Sequence, residues 1–206
     1  MPKSYTTGND TTYCYPDSSV LKNRLNITDA ELLNETERKL TAIAASMIYS
    51  GTIASPASFD IKHLKWLHRQ LFSDIYEWAG EFRTVEIAKG TMFCHSMFID
   101  AELERIFKEL HAENCLKHIT DPKQMAKKTA YYISEINAVH PFREGNGRTQ
   151  RLFMQQIAAN AGFELDFSKT DQEEIVEANK ASFMLNYKPM EQIMEHILSS
   201  RSFGIL

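Results

Sequence analysis

The chain has 206 residues, 43% of them hydrophobic, with 27 acidic against 23 basic side chains and a formal net charge of −4. That is apolar material enough for the core of one domain, with no general electrostatic pull toward nucleic acid and no apolar run near the roughly 20 residues that cross a bilayer. The three cysteines, Cys14, Cys94 and Cys115, are odd in number and lack C-x-x-C pairing, which argues against a disulfide framework or a zinc knuckle.

The N-terminus MPKSYTTGND lacks the apolar core of a signal peptide, so a soluble protein of the cytoplasm is expected. Residues 1–20, rich in Ser, Thr, Asn, Asp, Pro and Gly, read as an irregular arm, and residues 21–206 as a single domain. Thr28-Asp29-Ala30-Glu31 offers a capping box, Ile27 and Leu32 are placed as a hydrophobic staple, and Leu33, Leu40, Ile43, Ala44 and Met47 recur at near-helical spacing up to Gly51. Asp60 can cap a second helix, whose Ile61, Leu64, His68, Leu71, Phe72 and Ile75 share a face as far as Gly80. Between 83 and 99 the chain reads RTVEIAKGTMFCHSMFI, with β-branched and aromatic residues around Lys89-Gly90, which predicts a β-hairpin. Pro122, behind Asp121, opens a helix carrying Ala126, Ala130, Ile133 and Ile136. Further helices are expected from Arg148 to about Ala161, from Thr170 with Thr170-x-x-Glu173 as its cap signal, and from near Pro189. The fold class is therefore all-α, a helical bundle with one hairpin.

Between two of these helices lies AVHPFREGNGRTQRLF. If Glu144 ends a loop and Gly147 or Arg148 opens a helix, the amides of Gly145, Asn146 and Gly147 converge at a helix N-terminus, an anion site for which phosphate is the natural occupant. Arg148 and Arg151, three apart, lie on neighbouring positions of one helix face and can clamp several phosphate oxygens. Glu144 among so many phosphate charges makes sense with Mg²⁺ between them. His140 is the one group in the stretch whose ordinary pKa suits proton transfer near neutrality. The set suits phosphoryl or nucleotidyl transfer. Elsewhere the chemistry is poorer: His63 and His68 are five apart, not the i, i+4 of a zinc site, and read as packing and surface residues. Cys94 and His95 are strand neighbours whose side chains point to opposite faces.

HPFREGNGRTQR resembles the signature of Fic domain proteins, H-x-F-x-(D/E)-G-N-G-R-x-x-R, with every specified position filled, and LHRQLFSDIYEWAGEFR resembles the segment that precedes the hairpin in those proteins. The resemblance implies a Fic fold with a hairpin flap over the active site. His140 would take the proton of a target hydroxyl, Glu144 would bind Mg²⁺, Gly145 to Gly147 would form the anion nest, and Arg148 and Arg151 would contact the phosphates. Phe142 would anchor the loop in the core, and Ile87 to Met92 would line the site, Lys89 and Gly90 nearest. Asn179, in VEANKA, resembles a position that contacts adenine. Gly147 stands where a kinase-like branch has Lys, so the implied reaction is transfer of AMP from ATP to a Ser, Thr or Tyr hydroxyl of a protein, of toxin or effector type, with self-modification included. Another nucleotide, a phosphocholine group, or a binding module with little turnover remain as alternatives.

The resemblance also bears on control. Many such proteins carry an inhibitory helix with the pattern (S/T)-x-x-x-E-(G/N), whose Glu meets the second motif arginine. Here only Glu144 and Glu113 precede Gly or Asn, and Glu113 has Glu109 where Ser or Thr is required. A separate small helical antitoxin docking beside the first helix and supplying a Glu to Arg151 is therefore expected, either for the toxic half of a pair or for an effector silenced before export. Neither nucleic acid nor membrane is expected as a partner.

Overall fold

The computed structural model describes residues 10–200, and the first nine residues of the expected arm lie outside them. These residues fall into two compact units, one of 10–100 with 140–149, the other of 101–139 with 150–200.

In the first unit, helix α1 (Ala30–Tyr49) begins where the Asp29 side chain accepts from the Leu32 amide, leaving one fewer unpaired donor in its first turn. Its buried stripe is Leu33, Glu37, Thr41 and Ile48, one residue per turn or nearly so, which differs from the expected apolar face. Ile43 is 60% exposed, Met47 39% and Leu32 52%, so α1 turns apolar residues outward. The reason lies inside: Glu37 and Thr41 have polar partners there that fix the rotation of the helix.

Helix α2 (Ile61–Phe72) is capped by Asp60, whose carboxylate accepts from the His63 amide at 2.8 Å. It stops eight residues before Gly80. The Ile75 and Tyr76 amides turn back to the Phe72 carbonyl, and the rings of Tyr76 and Trp78 stack at 4.4 Å. Residues two apart cannot share a helix face, so stacking them requires a turn. The hairpin expected next is β1 (Ala88–Lys89) against β2 (Thr91–Met92), antiparallel, with Ala88 opposite Met92, Lys89 opposite Thr91 and Gly90 at the tip.

Helix α3 (Ile99–Ala112) has no counterpart among the expected elements. Its Ile99, Leu103, Ile106, Phe107 and Leu110 are all buried at helical spacing, a pattern that begins where the hairpin reading ends. Helix α4 (Pro122–Val139) packs on α6 (Gln172–Phe183) and α7 (Lys188–Ile197). The Tyr187 hydroxyl on the approach to α7 donates to Glu135 of α4 at 2.7 Å. The cap of α6 is Asp171 with Glu174 in a reciprocal capping box, one residue beyond the expected pair. Helix α5 (Asn146–Asn160) starts in the first unit and runs through the second. A second antiparallel pair, β3 (Phe163–Leu165) with β4 (Leu198–Ser200), adds to the single expected hairpin.

Of the arm, Tyr13, Cys14 and Val20 are buried, and Asp10 reaches Arg143 in an ion pair of 2.8 Å whose two side chains are nearly inaccessible. Asp10→Ala leaves that guanidinium buried without its carboxylate and should cost about 3 kcal/mol in denaturant unfolding. Replacing both partners, Asp10→Leu with Arg143→Met, should cost distinctly less, because no buried charge is then left alone.

Candidate active site

Helix α4 ends at Val139, and His140 follows in left-handed backbone, φ +49°, a conformation that non-glycine residues adopt only when their surroundings enforce it. Arg83 enforces it. This arginine is 2% exposed; its backbone amide donates to the Pro141 carbonyl and its Nε to the His140 carbonyl, both at 2.9 Å. Its Nη1 donates to the Val85 carbonyl at 2.8 Å and its Nη2 to that of Cys94, which are the two feet of the hairpin. The Phe93 ring stacks on the His140 imidazole at 3.9 Å and 17°. One buried arginine thus ties the backbone of His140 to the hairpin, and one phenyl ring sets the plane of its side chain.

Phe142 is buried as expected, and the Asn146 side chain closes a ring on its backbone: Oδ1 accepts from the Phe142 amide at 2.9 Å and Nδ2 donates to its carbonyl at 2.8 Å. With its side chain buried and so engaged, Asn146 keeps its backbone amide at the head of α5 for an anion. Against Phe142 lies His68, its ring stacked at 3.8 Å. Of the reading of His63 and His68 as packing and surface residues, the packing half holds for both, each being fully buried, and His68 is in addition doubly bonded. Nδ1 accepts from the Gly80 amide at 2.8 Å, so Nε2 carries the hydrogen and donates to the Glu144 carbonyl at 3.0 Å. Burial, helped by the positive charge of Arg148, pushes its pKa down to about 3, and it serves as a neutral strut.

Gly145 has φ +81°, and a Cβ there would lie 2.2 Å from Cζ of Phe72, so both its conformation and its neighbour demand glycine. Helix α5 opens at Asn146, and its first-turn amides have no acceptor earlier in the helix. At its mouth the Gly145 amide donates to Glu144 Oε1 at 2.8 Å. Arg148 lies over the Phe72 ring at 4.9 Å, with Nη2 3.6 Å from Glu144, Nη1 3.3 Å from Thr41 Oγ1, and a direct ion pair to Glu37. Burial, and after it the nearby Glu37 carboxylate, pushes the Glu144 carboxyl above its ordinary range, against the pull of the Gly145 amide, Arg148 and Lys89. The first unit therefore holds His140, Glu144, Gly145, Arg148 and the hairpin together. Ile87 is 1% exposed and acts as a core foot of that hairpin, while Lys89 and Gly90 form its tip.

Arg151 and Asn179 belong to the second unit. Arg151 lines a recess of about 160 Å³ with Phe167, Thr170, Gln172 and Ile175. Asn179, one turn after Ile175 on α6, has its Oδ1 buried with no hydrogen-bond partner. Sequence reasoning missed Arg83, His68 and Glu37. The first two sit in LHRQLFSDIYEWAGEFR, where the family likeness marks the segment without saying what each residue does.

The pattern of the Fic/DOC family matches residues 58–158. The chain is similar to the "Probable protein adenylyltransferase y4lH" of Sinorhizobium fredii, 38% identical over 86% of this chain and 90% of that one. It is also similar to the "Probable protein adenylyltransferase Fic" of Escherichia coli, 35% identical over 91% and 92%. Among solved structures it resembles the N-terminal Fic domain of a VirB-translocated Bep effector protein of Bartonella quintana with bound ADP, at a TM-score of 0.85 and 30% identity over 92% and 95%.

Gly145→Ala should destabilise the protein by more than 2 kcal/mol (~1 for φ, the rest for the clash with Phe72), and Phe72→Leu in the same chain should recover part of the loss in thermal unfolding. His68 supplies a pH test. Its folded pKa lies below the roughly 6.5 of an unfolded histidine, so its contribution is intact above that pH and is lost progressively as pH falls toward 3. Denaturant titrations across this range should show stability dropping, and a His68→Gln variant should show a shallower drop.

Proposed function

The chain belongs to the Fic/DOC family, and from that premise we propose that it is a protein adenylyltransferase, moving AMP from ATP to a Ser, Thr or Tyr hydroxyl of a target protein. The observation that carries this reading is the six-residue loop His140–Gly145, which ends in a glycine at a helix head. It places a histidine of fixed plane, a carboxyl and an arginine in one compact unit.

The chemistry follows from those residues. The first-turn amides of α5 and the guanidinium of Arg148 hold phosphate oxygens and draw off negative charge as it builds up in the transition state. The acceptor hydroxyl attacks the α-phosphorus, the bond to the β-phosphate oxygen breaks, pyrophosphate leaves, and the hydroxyl proton passes to His140. Glu144 is a carboxyl whose surroundings disfavour its charge, and a hard divalent cation beside it would offset that, so the donor set fits Mg²⁺. When bound, the metal would supply neutralisation of the leaving pyrophosphate. The hairpin, tied through Arg83 to His140, presents an extended edge along which a target segment can pair. In the second unit, Arg151 and its recess suit the far phosphates. The orphan Oδ1 of Asn179 calls for a donor, which the exocyclic amine of adenine provides.

Control by a partner is part of the proposal. The outward face of α1, with Leu32, Ile43 and Met47 exposed, suits an amphipathic helix of a small antitoxin; that such a partner also supplies a Glu to Arg151 is carried over from the family resemblance. The chain would then be the toxic half of a pair, or an effector module held silent before export.

With ATP labelled at the α-phosphate and a cell lysate, the chain should label a protein band. His140→Ala should reduce labelling by about 10²–10⁴-fold while leaving ATP affinity within about twofold, since the base is lost and the phosphate cradle is kept. Arg151→Ala should instead weaken ATP binding. Label from UTP or CTP alone would replace AMP by another nucleotide, and full labelling by His140→Ala would falsify the mechanism. Expressed by itself, the chain should slow growth, and the His140→Ala variant should not.

A further inference from the structure

Glu37 has no role in the reaction just described, yet it is a nearly buried carboxylate in direct contact with Arg148. Its second oxygen accepts from the Tyr76 hydroxyl, itself 1% exposed. One turn further along α1, Thr41 accepts from the other terminal nitrogen of the same guanidinium at 3.3 Å. Phe72 covers one face of it. Helix α1 and the Tyr76 turn thus grip Arg148 through one N–H on each terminal nitrogen, leaving its remaining donors on a side chain that is 29% exposed.

We propose that Glu37 is a positioning residue: it holds the guanidinium of Arg148 in the orientation in which a nucleoside triphosphate meets it, so that binding does not have to immobilise the arginine. The alternative, that Glu37 competes with phosphate and must let go, is opposed by burial. If Arg148 swung away, Glu37 would remain charged and buried with only the Tyr76 hydroxyl beside it, a costly state. A grip made of two acceptors a helical turn apart on one rigid element is also what fixes a plane, whereas a single contact would only neutralise charge. The inference rests on the reading of Arg148 as a phosphate clamp.

The test is a double-mutant cycle on the 206-residue chain, with ATP affinity measured calorimetrically in the His140→Ala background so that no turnover intervenes. Glu37→Gln should weaken ATP binding roughly three- to tenfold, as expected when one long side chain must be ordered on binding. Thr41→Val should weaken it in the same direction by less. In an Arg148→Ala background neither change should matter by more than about twofold. Glu37→Gln should there raise thermal stability, by removing a buried charge that has lost its partner. In the active chain, Glu37→Gln should raise KM for ATP with kcat at saturation nearly unchanged. Tighter ATP binding by Glu37→Gln overturns the proposal in favour of competition, and an equal loss with and without Arg148 overturns it in favour of a merely structural role. If Arg148→Ala weakens ATP binding and Glu37→Gln does not, the positioning role alone fails. If Arg148→Ala has no effect on ATP binding, the clamp reading fails, and the positioning role with it.

Discussion

From His140 to Gly145 the backbone is neither helix nor strand, and it runs through the protein interior, where an unpaired carbonyl or amide is costly. The neighbouring residues are arranged around that constraint. Arg83 bonds the carbonyls of His140 and Pro141, Asn146 both backbone groups of Phe142, His68 the carbonyl of Glu144, and Thr149 that of Gly145. The loop is thereby fixed with a precision that its own sequence, a turn with one glycine in left-handed backbone and another in the first helical turn, would not provide.

The same pairing explains why the surroundings are aromatic. The His68 ring can bond Glu144 and Gly80 only if it is neutral, and it stays neutral because it is stacked between Phe72 and Phe142, away from water. Phe72 then lies so close to Gly145 that no side chain fits there. The open backbone at the head of α5, which makes an anion site, is thus a by-product of packing that first serves to seat the loop.

Much of this was legible in the sequence, though unevenly. The helices around the motif announced themselves through periodicity and caps, and the motif's glycines and charges through their order. The face of α1 did not, because apolar periodicity points to Ile43 and Met47 while the helix buries Glu37 and Thr41. Polar residues that face a site carry the same sequence signal as polar residues that face water, and only their partners distinguish the two. Helix α3 was legible and was passed over: Ile99, Leu103, Ile106, Phe107 and Leu110 recur at helical spacing among charged residues, directly after a segment read with a period of two. The role of Arg83 could not be read at all, since Glu86 three residues on gives it an ordinary local charge partner and nothing in the sequence points to the distant carbonyls it bonds.

Charge bookkeeping around Arg148 connects these points. A chain with net charge −4 reads as a poor host for a polyanion, yet binding depends on the local field, not the total. Within reach of Arg148 lie two carboxyls, Glu37 and Glu144, with Lys89 as the second cation. A nucleoside triphosphate alone would add negative charge to a nearly balanced cluster, which is unfavourable at low dielectric. A triphosphate that arrives with a divalent cation would change the balance much less, and under the proposed function Glu144, the carboxyl least content with its own charge, would be that cation's seat.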